Sequence, residues 1–207
     1  QKDENGVRGK GKDIAIMCYT LGQVKVRKHD VGKVGLRGLL NGLKSALQEQ
    51  TVTNQGLVNS LNGLQRMGLL WNDDLPASSG LRSEIIRAAI GAVESMRQDE
   101  VCSLLHSLAN LGVSWSESLP KELQVGLSNA LERHALTLNN REIANAHWAL
   151  GRLQYPYCSG GKVEETLSRM LVRRAHTLNQ YDVESTFVGL GLMQAPFAGI
   201  PQAAQAG

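Results

Sequence analysis

The chain has 207 residues and a mass of 22.5 kDa, enough for one domain or two small ones. Hydrophobic residues make up 42% and charged residues 20%, an ordinary globular ratio that excludes a disordered chain, and its 22 glycines keep no collagen period. No run of about 18 apolar residues is present, so we expect no membrane span. Three scattered cysteines without a CxxC pair indicate neither a disulfide framework nor a metal site.

The net charge of +3 is unevenly distributed along the chain. Residues 1–50 carry ten basic and five acidic residues, whereas residues 51–207 carry twelve and fourteen. The first quarter would therefore attract an anionic partner. We predict a flexible basic arm over residues 1–12, and the candidate RNA contacts in this quarter are Lys10, Lys12, Lys25, Arg27 and Lys28.

An internal repeat of 40 to 44 residues occupies most of the chain. Segments 55–71, 99–115, 141–157 and 181–197 superimpose without gaps, and a fainter copy lies at 13–26. Four columns hold the register: Leu57, Val101, Ile143 and Val183; Leu64, Leu108, Leu150 and Leu190; Met67, Leu111, Leu153 and Met193; Trp71, Trp115, Tyr157 and Phe197. We predict a single domain of about four and a half repeats over residues 13–201, followed by a tail at 202–207.

Each repeat contains two helical segments. Apolar residues recur every three or four positions in both, which is the period of an α-helix and not of a strand. In four of the copies an acid precedes the first apolar residue of the first segment, where it favours a helix N-terminus. In chain order the predicted helices cover residues 13–26, 36–47, 57–67, 85–93, 101–111, 123–135, 143–153, 163–175 and 183–193.

Glycine has a defined place in this pattern. One position of the first helix holds a small residue in every clear copy, namely Gly63, Ser107, Ala149 and Gly189. Small side chains there permit neighbouring helices to approach closely. Gly68 and Gly112 lie where first helices end and favour a left-handed C-cap. A two-helix unit buries only one face of each helix, so stacking must complete the core. The predicted fold is therefore an all-α solenoid of helix-turn-helix repeats.

Two first helices, EVCSLLHSLANLG at 100–112 and EIANAHWALGRLQ at 142–154, resemble the signature helix of octotricopeptide and heptatricopeptide repeats. Asn145, Trp148 and Leu150 fall on the Asn and Trp-Ala-Leu positions of that signature. The resemblance implies an organellar RNA-binding protein, mitochondrial or alternatively plastid. It further implies a maturation or translation factor, or a part of an organellar ribosome, with rRNA or mRNA as the partner.

Catalytic motifs are absent from the sequence. There is no GxGxxG after a strand, no Walker loop, no GxSxG and no HExxH. We expect no enzyme activity, no cofactor, no metal and no small-molecule substrate. His147 shares a column with leucines and is interpreted as a core histidine, and the aromatic column ending at Phe197 as core plugs, with base stacking as the alternative.

RNA binding by helical repeats needs polar side chains at equivalent positions and a basic track for phosphates. The first helices offer such candidates opposite their leucine stripe: Asn59, Arg66, Ser103, Asn110, Asn145 and Arg152. The second helices add a basic cluster with Arg133, Arg173 and Arg174. An ordinary solvated helix face is the alternative interpretation, because residues 51–207 are net acidic.

Two other hypotheses stay open. The chain could be a structural solenoid that scaffolds protein subunits of a large organellar assembly, or a fragment of a longer repeat protein, because the array begins in a faint repeat and shows no obvious polar capping helix.

Overall fold

A computed structural model describes residues 4–157 and 162–194, with side chains from Lys10 onward. These ranges are entirely α-helical apart from turns and two 3-10 segments, at Ala77–Ser79 and Ala175–Thr177, and they contain no strand. The predicted all-α class is therefore confirmed. In chain order the helices are α1 Glu4–Gln23, α2 Lys28–Gln48, α3 Asn54–Arg66, α4 Trp71–Asp74, α5 Leu81–Val93, α6 Gln98–Asn110, α7 Trp115–Ser118, α8 Lys121–His134, α9 Asn140–Arg152, α10 Lys162–Arg174 and α11 Gln180–Leu192.

Every predicted segment falls on a helix of the structure, although several run one residue past the helix end and 13–26 runs three residues past the end of α1. First helices correspond to α1, α3, α6, α9 and α11, and second helices to α2, α5, α8 and α10. The one-turn helices α4 and α7 were not predicted, because four residues are too few to show a period. A break at Gly32, with φ of 71°, interrupts α2.

Residues 4–12, predicted to be part of a flexible arm, belong to helix α1 instead. Glycine disfavours a helix by about 1 kcal/mol relative to alanine, but packing overrides that preference. At Gly11, which is buried, an added Cβ atom would collide with the backbone of Thr51. The predicted tail at 202–207 lies outside the described residues, and the single domain over 13–201 stays a prediction.

The chain divides into two compact units. The first unit comprises residues 1–95 with 110–112, and the second comprises 96–109 with 113–207. In the first unit α1 packs along α3, and α2 packs against α1 and α5. In the second unit α9 packs along α11, and α10 packs against α8 and α9. The leucine stripes form the core of each unit, as the repeat predicts.

One backbone hydrogen bond recurs at equivalent places in the repeats. The donor is the first residue of a second or one-turn helix, and the acceptor is the carbonyl just after the next first helix, which the helix itself leaves unpaired. The three bonds are Lys28 N to Met67 O at 2.9 Å, Trp71 N to Leu111 O at 2.7 Å, and Trp115 N to Leu153 O at 2.7 Å. The first two lie in the first unit and the third in the second.

First helices end in a left-handed residue. Gly68 and Gly112 have φ of 80° and 77°, which confirms the predicted C-caps. The third copy has Gln154 at this place, and its φ is 58°. The following residue closes each end with a bond to the carbonyl five residues back, such as Tyr155 N to Leu150 O at 2.9 Å. The backbone geometry is therefore kept where the sequence has lost its glycine.

The small column brings backbones into contact, as predicted. A Cβ atom added at Gly63 in α3 would overlap the carbonyl oxygen of Cys18 in α1. One added at Gly189 in α11 would overlap the carbonyl oxygen of His147 in α9. Neither neighbour is a side chain that can rotate away, so both positions require glycine.

We predict that Gly63→Ala lowers the free energy of unfolding by at least about 2 kcal/mol, because backbone must move to admit the methyl group. The control is Gly91→Ala in α5, where an added Cβ atom meets nothing within 4 Å. That variant should gain about 0.5–1 kcal/mol from the better helix propensity. Urea denaturation monitored by circular dichroism measures both; a Gly63→Ala protein as stable as the parent would contradict the close contact.

We predict that Gln154→Gly raises the free energy of unfolding by about 1 kcal/mol, because glycine adopts the left-handed conformation without steric cost. Gly112→Gln is the reverse substitution and should lower stability by about the same amount, since an added Cβ atom there meets no neighbour. Urea denaturation of the pair checks both signs. Effects of the same sign in both variants would show that side-chain contacts, not φ, decide these positions.

Candidate nucleic-acid interface

A polar stripe runs along α3 on the side away from its buried leucines. Gln55, Asn59, Asn62 and Arg66 are spaced by four, three and four residues, so they share one face of the helix. Gln55 Nε2 donates to Asn59 Oδ1 at 2.9 Å, and Asn59 is half-buried. This face presents amides followed by an arginine.

The arginine end of that stripe gathers two predicted RNA contacts. Arg66 Nη1 donates to Gln23 Oε1 at 2.8 Å, and Arg27 Nη1 donates to the Arg66 carbonyl at 3.1 Å. Both guanidinium groups are exposed, and neither forms an ion pair with a carboxylate in the described ranges. Two positive charges therefore lie together at the C-terminal end of α3, where the helix dipole favours cations.

Helix α9 carries the equivalent stripe in the second unit, formed by Arg141, Asn145, Trp148 and Arg152. The Trp148 ring lies 5.0 Å from the ring of His106 in α6, centroid to centroid. The Arg152 guanidinium carbon lies 6.0 Å from the Trp148 ring centroid, at the outer limit of a cation–π contact. An amide, an aromatic ring and an exposed arginine therefore share one helix face.

A second cation–π pair lies beside this stripe. The Arg141 guanidinium carbon lies 4.0 Å from the Tyr181 ring centroid. The same guanidinium is 3.9 Å from Asp182 Oδ1, a buried atom that accepts no hydrogen bond from the described residues. Arg141 thus stacks on an exposed ring and partly compensates a buried carboxylate.

Helix α6 contributes less to this kind of surface, because Asn110 stands where α3 and α9 have an arginine. Ser103 and Asn110 are half-buried. The residue between them on the same face is His106, which Trp148 contacts. The amide and hydroxyl candidates of α6 therefore lie at the surface with only part of each side chain accessible.

The remaining candidates of the first quarter differ in how accessible their charges are. Lys10, Lys12 and Lys25 are exposed, and Lys12 lines a cavity of about 570 Å³ together with Asn59. The Lys28 ammonium instead forms a 2.6 Å salt bridge with Asp74. The charge of Lys28 is thereby neutralised, which makes it the weakest RNA candidate of this group.

The basic residues of the second helices are not part of the stripes. Arg133 lies in the last turn of α8, and Arg173 and Arg174 lie in the last turn of α10. Cations at these places stabilise helix C-termini. The structure thus separates the predicted RNA residues into first-helix stripes and a second-helix cluster.

Sequence reasoning left Gln55 and Asn62 of the α3 stripe out of the candidate set. At the α9 stripe it left out three residues: Arg141, Trp148 and Tyr181. Helical spacing could have found the first two, because they lie four residues before and three after Asn145. Helical spacing could not have identified Tyr181, the cation–π partner of Arg141, because Tyr181 belongs to another helix.

Histidines and cysteines in the described ranges form no metal-binding group. His147 is buried, and its Nδ1 donates to the Ile143 carbonyl at 2.9 Å, so the core interpretation is confirmed. Burial raises the pKa of the Cys18 and Cys102 thiols to about 12, which leaves both protonated at neutral pH. Cys158 lies outside the described residues.

The repeated aromatic column belongs to the core where the structure describes it fully. Trp71 and Trp115 are 2% and 3% exposed, which confirms them as core plugs and excludes base stacking. Tyr157 is half-buried. Phe197 lies beyond the described residues.

We predict that protonation of His147 destabilises the fold, because burial lowers the pKa of its imidazole below the ordinary value of about 6.5. Below that value the unfolded chain binds a proton that the folded chain does not. Stability should then fall by about 1.4 kcal/mol per pH unit until the folded-state pKa is reached.

Urea denaturation of the wild type and His147→Leu at pH 7.5 and 5.5 measures this effect. Leucine is the residue at the equivalent positions Leu61 and Leu105, so it suits the core. The variant should lose less stability on acidification than the wild type. Equal losses would assign the pH dependence to the other histidines.

Comparison with protein-family models gives no match, and no curated protein matches the chain. Among the described residues, no helix combines the length and the apolar character needed to cross a bilayer.

Proposed function

We propose that this chain binds single-stranded RNA through the outward faces of its first helices. The observation that carries the proposal is the repeated stripe, with amides and an arginine on α3 and an amide, a tryptophan and an arginine on α9. Amides hydrogen-bond to base edges, aromatic rings stack on exposed bases, and arginines contact phosphates. These are the groups that recognise unpaired RNA.

The fold that we propose for this function is an α-solenoid of about four and a half helix-turn-helix repeats. Support comes from the backbone hydrogen bond that recurs at Lys28, Trp71 and Trp115. Repeats that are joined by the same bond present the same first-helix face each time. A solenoid would place successive stripes along one surface for an extended strand.

The proposed setting is an organellar ribonucleoprotein, such as the mitochondrial ribosome, with rRNA as the partner and mRNA or a plastid setting as alternatives. This part of the proposal depends on the resemblance to octotricopeptide and heptatricopeptide repeats. The role is binding without catalysis. RNA contacts from Arg27 and Arg66 would anchor the strand electrostatically.

Scaffolding of protein subunits is a second candidate function, and one observation favours it. In α11 the stripe positions equivalent to Trp148 and Arg152 are Val188 and Leu192, both exposed. The last described first helix therefore offers an apolar face where the earlier ones offer polar groups, and such faces bind proteins.

We predict that the full chain binds a labelled 20-nucleotide single-stranded RNA of mixed sequence with strong salt dependence. Arg66→Gln/Arg152→Gln should lower the slope of log Kd against log salt by about 1.4, because each lost phosphate contact contributes about 0.7. Fluorescence anisotropy at several salt concentrations measures the slope.

The matched control is Arg37→Gln/Lys121→Gln, which removes two charges from exposed positions in second helices. It should leave the slope nearly unchanged. An absence of binding by the wild type at low salt would overturn RNA binding and leave scaffolding as the function. Equal losses in both double variants would show that net charge, not the stripe, attracts RNA.

A further inference from the structure

A groove in the second unit lies between the turn after α8 and the helix α10. Its volume is about 410 Å³. The side chains that line its floor are aliphatic, among them Leu138, Ile143 and Met170. Leu136 stands at the edge with 77% of its surface exposed. This is an apolar groove with an exposed leucine at its edge.

Arginines flank the groove on the α10 side. Arg169, Arg173 and Arg174 line it, against a single acidic lining residue, Glu132, on the α8 side. Arg169 is 3.5 Å from Glu165, and both of these side chains are solvent-exposed, so the pair contributes little. Arg173 and Arg174 form no ion pair with any described residue. Their charge is available to a ligand.

The first unit contains an equivalent groove, which provides an internal comparison. That groove, of about 280 Å³, lies between the turn after α2 and the helix α5. Four lining residues of α5, at 87, 88, 91 and 92, match those of α10 at 169, 170, 173 and 174 in spacing. Gly91 and Ala92 stand where α10 has its two arginines, and Gln50 stands where Leu136 is.

The first-unit groove is also closed by its own arginine. Arg87 Nη2 donates to the Leu47 carbonyl at 2.8 Å and pairs with Glu84 at 2.7 Å. Its counterpart Arg169 makes no such bond to the backbone of α8 in the described ranges. Three features therefore belong to the second groove and not to every repeat: its larger volume, its two added arginines and its exposed leucine.

The lining chemistry identifies the kind of partner. Guanidinium groups pair with carboxylates through two parallel hydrogen bonds, and an aliphatic floor accepts leucine, isoleucine or valine side chains. Unpaired bases need aromatic or amide groups, and the lining of the groove contains neither. We propose that this groove docks an acidic segment of a partner protein, with an aliphatic side chain on the floor and carboxylates on Arg173 and Arg174.

This proposal goes beyond RNA binding and assigns a different partner to two of the predicted RNA residues. Glu132 sets the orientation of the bound segment, because it would repel carboxylates on the α8 side of the groove. The acidic residues of the segment therefore lie over α10 and its aliphatic anchor lies towards Leu136 and Ile143. RNA binding through the first-helix stripes needs none of these residues.

The test uses the full chain and a fluorescein-labelled peptide of sequence EELLEELLEELLEE, with two comparison peptides. One has Lys at every Glu position, and the other has Ser at every Leu position. We expect measurable binding of the acidic leucine peptide by anisotropy at low salt. Both comparison peptides should bind at least about tenfold more weakly, since each lacks one half of the recognition.

Arg173→Ala/Arg174→Ala should weaken binding of the acidic leucine peptide by about tenfold or more. Lys121→Ala/Lys162→Ala is the matched control, because it removes two charges from the first residues of α8 and α10, outside the groove. It should change binding less than about twofold. A second variant, Leu136→Glu, alters an exposed residue, so its circular dichroism spectrum should remain that of a folded protein. It should abolish binding, because the new carboxylate repels the acidic peptide.

The proposal is overturned if the lysine or serine peptide binds as well as the acidic leucine peptide, if the control variant loses as much as the arginine variant, or if Leu136→Glu binds normally. The labelled RNA distinguishes the remaining case. If Arg173→Ala/Arg174→Ala loses RNA binding and keeps peptide binding, these arginines bind RNA and the proposal is wrong.

Discussion

The structure depends on a backbone hydrogen bond that is repeated where one repeat meets the next. It runs from the first residue of a second or one-turn helix to the carbonyl that follows the next first helix. Because both groups belong to the main chain, the bond does not depend on which side chains the repeats carry. The surface residues can therefore differ between repeats while the spacing of the helices is kept. Only proline, which lacks the N–H group, is excluded at positions 28, 71 and 115.

That independence explains why the first-helix faces are so different in character. Helix α3 presents amides and an arginine, α9 presents an aromatic ring between an amide and an arginine, and α11 presents exposed apolar groups such as Val188. The same scaffold thus offers polar recognition on some helices and apolar recognition on another. With the proposed RNA and protein partners, one chain would combine two kinds of recognition, because each helix contributes its own chemistry.

Much of the fold could be predicted from the sequence, because helical periodicity and the forty-residue repeat are both written in the order of apolar residues. The C-caps at Gly68 and Gly112 and the close contacts at Gly63 and Gly189 follow from the same register. Tertiary contacts decide the rest. Composition makes residues 4–12 look like an arm, but they belong to helix α1, in which Gly11 lies against the backbone of Thr51. The neutralisation of Lys28 by Asp74, 46 residues away, and the pairing of Arg141 with Tyr181 join separate elements and leave no local signal.

The contact at Gly189 also determines which way α9 and α11 can move. Where side chains separate two helices, each helix can roll by letting those side chains change rotamer. Here the backbone of α11 lies directly on the carbonyl of His147, so rolling either helix would drive main-chain atoms into each other. The rotation of α9 and α11 about their long axes is therefore restricted at this one contact. An RNA strand bound as proposed at Asn145 and Trp148 would meet side chains whose angular position is held from the opposite side of the helix.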